Sequence, residues 1–281
     1  MIRISRMRIG DIPFAVKLSA QEDWGTPRSD FLRILRINPH GSFVASEAFS
    51  RVGMITTVTF GKDLAWIGNV IVDKKHRGKR IGQRLVRNAL AHLKELHVKH
   101  IALYCFKDNI GFYRKLGFDE DARFVRLRRP QHDTGPFKKE PREQLTLVRL
   151  LSVDRKAFGA DRSEFIRSWI NERAGTYFGF AEGRTSAFLF LKKYPDMFDF
   201  GPGVSFGASD DDLRRLLAES VKYARNKPIE VSCLAQNRNM LKLLHEFGFE
   251  VTNIGYRMSW GHSAILGFDS ANILLGFLDK G

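Results

Sequence analysis

Cysteine is scarce in this sequence, which has only Cys105 and Cys233 among its 281 residues. Two cysteines cannot build the disulfide framework of a small secreted domain, and no Cys-x-x-Cys spacing suggests a metal site. No apolar run reaches the roughly 18 residues that a membrane-spanning helix needs, and the N-terminal segment contains no apolar signal region. The sequence therefore predicts a cytoplasmic protein with no membrane span and no metal.

Acidic residues are also few relative to basic ones. The chain has 46 lysines and arginines against 31 aspartates and glutamates, which gives a net charge of +15. Such a charge indicates either an anionic partner, such as nucleic acid or a phosphorylated cofactor, or simply a well-solvated surface. No RNA-binding signature accompanies the charge, and the one dense basic run lies at residues 74–87.

Hydrophobic patterning predicts an α/β chain. Hydrophobic residues make up 43% of the sequence, which is enough for large buried cores. Segments rich in Val, Ile and Thr predict strands, and the spacing of Leu85, Ala89 and Leu93 predicts a helix. The elements predicted in the first half are a strand at 2–8, helices within 12–37, strands at 42–49, 51–60 and 66–72, a helix at 81–96, a strand at 101–106 and a short helix ending at Gly117.

The order of elements repeats after a polar segment. Residues 131–143 (QHDTGPFKKEPRE) contain two prolines and no periodicity, so we interpret them as a linker. Helix and strand patterns then return, and Gly248-Phe249 follows the last helix as Gly117-Phe118 follows the first series. We therefore predict two tandem α/β domains, residues 1–130 and 144–281, each with a central mixed, mostly antiparallel sheet flanked by helices.

The strongest chemical signal is the strand, loop and helix at residues 70–86 (VIVDKKHRGKRIGQRLV). Glycines let a backbone approach a phosphate closely and aim its N–H groups at it, and a helix N-terminus adds partial positive charge. Flanking cations strengthen the attraction. The segment predicts a pyrophosphate site, and the alternative is a basic helix start without a ligand.

Two motifs resemble signatures of the GNAT acetyltransferases. The loop is similar to their motif A, Arg/Gln-x-x-Gly-x-Gly/Ala, with Arg80 where the inner glycine usually stands. Residues 111–118 (GFYRKLGF) resemble the next signature, Tyr-x-x-Leu-Gly-Phe. Because both motifs occur in the family's order and spacing, we identify the chain as similar to a GNAT N-acetyltransferase. The positions of motif A are filled by Arg77, Gly78, Lys79, Arg80, Ile81 and Gly82.

The resemblance implies an acyltransferase that moves an acetyl group from acetyl-CoA to an amine by direct attack, without a metal. It implies that the backbone of Val70, Ile71 and Val72 binds the pantetheine arm and that the loop holds the pyrophosphate. It also implies that Tyr113 lies near the thioester sulfur and protonates the departing thiolate. The alternative for Tyr113 is a core aromatic at the end of its helix.

The acceptor side carries weaker signals. Many GNAT proteins place a glutamate on the strands that face the thioester, whereas this chain has Gly68 and Asn69 there. The conceivable bases are Glu22, Asp23, His40, Glu47 and Asp63, and the sequence does not choose among them. Trp24 either lines an acceptor pocket or packs as an ordinary aromatic, and no residue identifies the acceptor.

The second half resembles the C-terminal domain of two-domain GNAT proteins, but its chemical positions differ. Asp210, Asp211 and Asp212 begin the helix after the loop, where carboxylates stabilise the helix dipole and repel a pyrophosphate. Leu244 stands at the tyrosine position. We predict that this domain binds no acetyl-CoA and instead completes the acceptor pocket or forms a homodimer contact. The alternative function for the whole chain is a non-catalytic acetyl-CoA-binding or RNA-associated protein.

Overall fold

The structure, a computed structural model, describes residues 1–131, 145–261 and 270–280, and these contain twelve strands and eight α-helices. The strands are β1 (Ile2–Arg6), β2 (Phe43–Glu47), β3 (Ser50–Phe60), β4 (Leu64–Val72), β5 (His100–Phe106), β6 (Phe118–Arg129), β7 (Gly175–Glu182), β8 (Thr185–Lys193), β9 (Phe198–Phe206), β10 (Ile229–Leu234), β11 (Glu250–Trp260) and β12 (Asn272–Leu274). The helices are α1 (Ile12–Ala20), α2 (Arg28–Ile37), α3 (Ile81–Glu95), α4 (Ile110–Arg114), α5 (Leu147–Phe158), α6 (Ser163–Asn171), α7 (Asp210–Ala224) and α8 (Arg238–Glu246).

One continuous sheet runs through both halves, in the order β1-β2-β3-β4-β5-β11-β6-β10-β9-β8-β7, and β12 pairs with β9 beside this path. β11 comes from the second half but lies antiparallel between β5 and β6, with Gly255 opposite both Phe106 and Phe124. β6 in turn pairs antiparallel with β10, where Phe124 lies opposite Leu234. Each half therefore adds a strand to the sheet of the other.

Helices cover both faces of this sheet. On α3, Leu85 and Leu93 lie on one apolar face and are buried against the strands of the first half. The helices α1 and α2 cover the opposite face of the same strands. A further core joins the two halves, because Phe165 and Trp169 of α6 belong to the same buried cluster as Trp66 of β4.

The predicted fold class, two tandem GNAT-like α/β units with mixed sheets, is confirmed. The sequence indicates the start of β6 at Phe118 but not its length, because its residues (FDEDARFVRLRR) are mostly charged and do not alternate regularly between apolar and polar. It likewise does not indicate α5 or β11. The predicted linker 131–143 lies, apart from Gln131, outside the described residues.

The strand exchange predicts that neither half folds without the other. Residues 1–131 alone would leave the edge of β5 bare and remove both sheet neighbours of β6, so we expect this fragment to be unfolded or aggregated. Co-expression with residues 132–281 should restore a folded complex, as judged by size-exclusion chromatography and a two-dimensional NMR spectrum. A monomeric, well-folded 1–131 fragment would contradict this expectation.

Candidate active site

A gap opens in the sheet between β4 and β5. The two strands pair in parallel only as far as Ile67 opposite Leu103. One extra residue in β4 then forms a bulge against β3, and Asn69 within it has a φ of 49°. Beyond the bulge, no strand in the described chain pairs with the β5-facing edge of β4. The backbone from Val70 to Val72 therefore borders the gap without a strand partner on that side.

The loop after β4 leads to the N-terminus of α3. Gly78 has a φ of 81°, and Arg80, which precedes the first helical residue, has φ 59° and ψ 18°. This left-handed conformation suits glycine and costs other residues about 1 kcal/mol. Arg80 thus keeps the backbone conformation of a glycine although it carries a long cationic side chain. Within the described residues no side chain caps α3, so its first turn can bind an anion.

The cations of the loop have different surroundings. The Arg77 Nε donates to the carbonyl oxygen of Val72 at 3.1 Å, and its guanidinium also pairs with Glu22. Lys79 pairs with Glu47 of β2 at 3.2 Å. Arg80 has no ion pair with any described residue and lines the gap. Arg77 therefore braces the loop, and Arg80 is a cavity-lining cation that can meet a phosphate.

A cavity of about 1150 Å³ fills the gap. It brings together nine of the ten predicted cofactor residues and leaves out Lys79. The nine are Val70, Ile71, Val72, Arg77, Gly78, Arg80, Ile81, Gly82 and Tyr113. Trp24, which is 47% exposed, lines the same cavity from the loop between α1 and α2.

Tyr113 is both a packed aromatic and a cavity-lining residue. Its ring lies edge-on to Phe118, with the ring centroids 5.8 Å apart. No described residue forms a hydrogen bond with its hydroxyl group. Burial raises the pKa of Tyr113, and nearby Cys105 adds to the shift. Burial also raises the pKa of the Cys105 thiol to about 12, so both groups are protonated at neutral pH.

The structure separates the five conceivable bases into two groups. Glu22 and Asp23 line the cavity, whereas His40, Glu47 and Asp63 do not. Asp63 pairs with Lys99 at 2.8 Å at the other end of β4, which places it outside the acceptor side. Among these five, only the two acids in the loop between α1 and α2 are near the predicted chemistry.

The inner wall of the cavity consists of residues that the sequence analysis missed. It contains Arg126, Lys192, Tyr194, Asp199, Glu230, Asp279 and Lys280. They form ion pairs: the Nζ of Lys192 lies 2.8 Å from Asp199, and the Nη2 of Arg126 lies 2.5 Å from Glu230. Burial lowers the pKa of Lys192, and Asp199 opposes that shift. These residues can be identified only from the strand pairing, because no local sequence signal distinguishes buried charged residues of this kind from charged residues on the surface.

The second half has a matching gap that is already filled. β9 and β10 pair in parallel only as far as Phe200 opposite Val231, and β9 also carries one extra residue there. Residues 271–275 occupy the opening: Leu275 donates its N–H to Ser232 at 2.8 Å, and Ser205 donates to Ala271 at 2.9 Å. The close approach needs a glycine, since a Cβ on Gly201 would lie 1.9 Å from the carbonyl oxygen of Leu275.

The helix start in the second half is capped by its own chain. The Ser209 hydroxyl accepts a hydrogen bond from the N–H of Asp212 at 3.2 Å, and Asp211 pairs with Arg214. Leu244 is fully buried in the core. Neither the acidic helix start nor Leu244 lines the cavity.

Comparisons with known proteins agree with this architecture. The model of the acetyltransferase (GNAT) family matches residues 13–118, and a model of an acetyltransferase (GNAT) domain matches residues 150–267. The two matches together cover most of the sequence. The chain belongs to the GNAT acetyltransferase family, as a two-domain member, and is an acyltransferase.

Individual relatives match most of the length of this chain. An uncharacterized N-acetyltransferase of Bacillus subtilis (strain 168), YitH, is 25% identical over 213 residues, which are 73% of this chain and 72% of that protein. A protein of Pyrococcus horikoshii assigned as an acetyltransferase has a TM-score of 0.81 at 22% identity, covering 100% of this chain and 96% of its own. A GCN5-related N-acetyltransferase from Sphaerobacter thermophilus has a TM-score of 0.67 at 12% identity, covering 96% and 98%. The fold is therefore shared across both halves of the chain.

The described residues contain neither a membrane-spanning helix nor a cluster of metal-binding side chains. None of the helices there is long and apolar enough to cross a membrane. Over the same residues, no group of three or more His, Cys, Asp or Glu side chains could hold a metal ion.

The left-handed Arg80 gives a test of the loop conformation. Arg80→Gly should leave the free energy of unfolding unchanged or raise it by up to about 1 kcal/mol, because glycine adopts this conformation without strain. The matched control is Arg87→Gly, at an exposed site inside α3, which should lower stability by about 1 kcal/mol. Chemical denaturation measures both. Equal destabilisation by the two substitutions would contradict the left-handed assignment.

Proposed function

We propose that the chain is an acetyl-CoA-dependent N-acetyltransferase whose cofactor site is the gap between β4 and β5. The observation that supports this most is the combination, in one cavity, of the uncapped start of α3, the unpaired edge of β4 and the phenol of Tyr113. Acetyl-CoA carries complementary groups: a pyrophosphate, an arm with two amides and a thioester. No other group of described residues combines these three features.

The loop and β4 supply the binding interactions in this proposal. The pyrophosphate takes hydrogen bonds from the backbone N–H groups at the start of α3 and faces the guanidinium of Arg80. The amides of the pantetheine arm pair with the backbone from Val70 to Val72, which has no strand partner within the described chain on the side that faces β5. Buried backbone groups need such partners, so the gap favours an extended, amide-containing ligand.

The reaction needs a neutral amine and a protonated leaving group. An amine with a pKa near 10.4 loses its proton at a cost of about 4.6 kcal/mol at pH 7. Its nitrogen then bonds to the thioester carbonyl carbon, and the carbon–sulfur bond breaks. Because burial raises its pKa, Tyr113 keeps its proton at neutral pH. Its hydroxyl can hydrogen-bond to the sulfur and release that proton as the bond breaks.

The second half serves the first in this proposal and binds no acetyl-CoA itself. Its own gap is filled by residues 271–275, and its helix start carries carboxylates and a serine cap. It instead supplies all of the inner wall of the cavity except Arg126, and the acceptor binds at this wall in the proposal. Ligand sites often form between domains in this way.

Gly82→Glu tests the pyrophosphate site, because it adds a carboxylate to the first turn of α3. We expect calorimetry to show one acetyl-CoA per chain for the unmodified protein and no detectable binding for the folded variant, since the new charge repels the pyrophosphate. Gly82→Gln is the matched control for side-chain size, because any Cβ added at this position would lie 3.3 Å from Phe112. The glutamine variant should bind acetyl-CoA more tightly than the glutamate variant. Unchanged affinity in Gly82→Glu, or two cofactors per chain, would rule the proposal out.

Tyr113→Phe tests the proton donor, because it keeps the ring and removes only the hydroxyl group. Turnover should fall by about 10²–10⁴-fold, the usual contribution of general acid catalysis, with little change in acetyl-CoA affinity. Single-turnover kinetics with an accepted amine isolates the chemical step, and calorimetry measures the affinity. Turnover equal to that of the unmodified protein would leave Tyr113 only its packing role.

A further inference from the structure

Segment 270–280 brings a carboxylate to a place where β4 has none. The sequence of β4 contains no acidic residue between Asp63 and Asp73. The Oδ2 atom of Asp279 nevertheless accepts a hydrogen bond from the Nδ2 of Asn69 at 3.1 Å, at the bulge where β4 parts from β5. The long-range contact therefore provides an acid beside the predicted reaction centre.

The surface of β4 is shaped to receive this segment. A Cβ on Gly68 would lie 2.1 Å from the carbonyl oxygen of Asp279, so only glycine permits the contact. Asn69 is 3% exposed, and its Nδ2 also donates to the Oγ1 of Thr56 at 3.0 Å. Its Oδ1 is buried and has no hydrogen-bond partner in the described chain. Two acceptors on Nδ2 fix the orientation of the amide, which leaves Oδ1 able to accept a hydrogen bond from a ligand.

The Asp279 carboxylate is held in place and still reaches the cavity. The Nζ of Lys280 lies 2.7 Å from its Oδ1 and 2.6 Å from its Oδ2. Burial would raise the pKa of Asp279, but Lys280, Asn69 and Lys192 outweigh burial and hold that pKa below its ordinary value. The group is therefore ionised at neutral pH. Its side chain is 26% exposed, and Asp279 lines the cavity. Lys280 and Lys192 act electrostatically on Asp279, and the charge of Asp279 acts in turn on Tyr194. Asp30 pairs with Lys280 at 3.5 Å.

We propose that Asp279 is a catalytic carboxylate that binds the acceptor amine and takes a proton from it during acetyl transfer. The inference rests on the proposed function. Asn69 and Lys280 are positioning residues, because each holds the Asp279 carboxylate through a hydrogen bond. An acceptor ammonium pairs with this carboxylate, and the buried Oδ1 of Asn69 is a further acceptor beside it.

The proton transfers balance as follows in this site. The bound ammonium first gives one proton to Asp279, which passes it to solvent. The neutral nitrogen then bonds to the carbonyl carbon, the carbon–sulfur bond breaks, and Tyr113 gives its proton to the sulfur. The products are an amide and a free thiol, and the remaining extra proton on the nitrogen passes through solvent to the Tyr113 phenolate.

The pH dependence of Asp279→Asn tests this role. The acceptor is whichever of n-butylamine, spermidine and lysine amide the unmodified protein acetylates fastest. We expect kcat/KM at pH 7 to fall at least tenfold and the deficit to shrink as the pH approaches the pKa of the amine, because a neutral amine needs no carboxylate. Acetyl-CoA affinity should not change. A merely structural effect would lower kcat/KM by the same factor at every pH and would overturn the proposal.

A second variant covers the case in which the single substitution disturbs folding. Asp279→Asn combined with Lys280→Met removes both charges of the pair and should show the same pH-dependent deficit. Independently of turnover, calorimetry of n-butylamine into protein saturated with CoA should show affinity at least tenfold weaker in both variants. Glu182→Gln, at the exposed end of β7, is the matched control and should change neither property.

The outcomes separate this proposal from the proposed function. Equal n-butylamine affinity in all proteins, or an unmodified protein that neither binds nor acetylates any of the three amines, overturns the role of Asp279. In both cases acetyl-CoA binding, measured separately, can still support the cofactor site. An unmodified protein that fails to bind acetyl-CoA contradicts the proposed function itself, and the role of Asp279 with it.

Discussion

The parting of β4 from β5 after Ile67 is the constraint on which the rest of the structure depends. Diverging strands leave backbone groups without partners, and buried backbone groups are costly unless they are paired. The first half leaves its edge facing a cavity. The second half has the same opening between β9 and β10 and satisfies it with residues 271–275. One backbone geometry thus gives an open site in one half and a closed one in the other.

The sequence predicts the part of the site that is local in the chain. The strand from Val70 to Val72, the basic loop and the start of α3 are consecutive, so their positions follow from short-range patterns alone. Tyr113 follows in a recognisable motif and does line the cavity, as does Trp24. Arg80 shows that a motif can keep its backbone conformation without its glycine, because the helix start stabilises a strained residue.

The acceptor side could not be predicted in the same way. Its inner wall joins residues from β6, β8, β9 and β10 with Asp279, and these meet only through strand pairing across the whole chain. In the sequence alone, each charged residue of this wall looks like a surface residue. Its role depends on its burial and on its ion-pair partner, as in the pair of Lys192 with Asp199. The strand exchange could not be predicted either, because it depends on the same long-range pairing. The mostly charged sequence of β6 shows the apolar pattern of a strand only in part.

The exchange of β6 and β11 also has a consequence for how the protein is made. A ribosome completes β5 long before it reaches β11, so the nascent first half has to wait with an open sheet edge. Exposed edges of this kind promote aggregation of newly made chains. The β5 edge can therefore be paired only after residues 250–260 have left the exit tunnel.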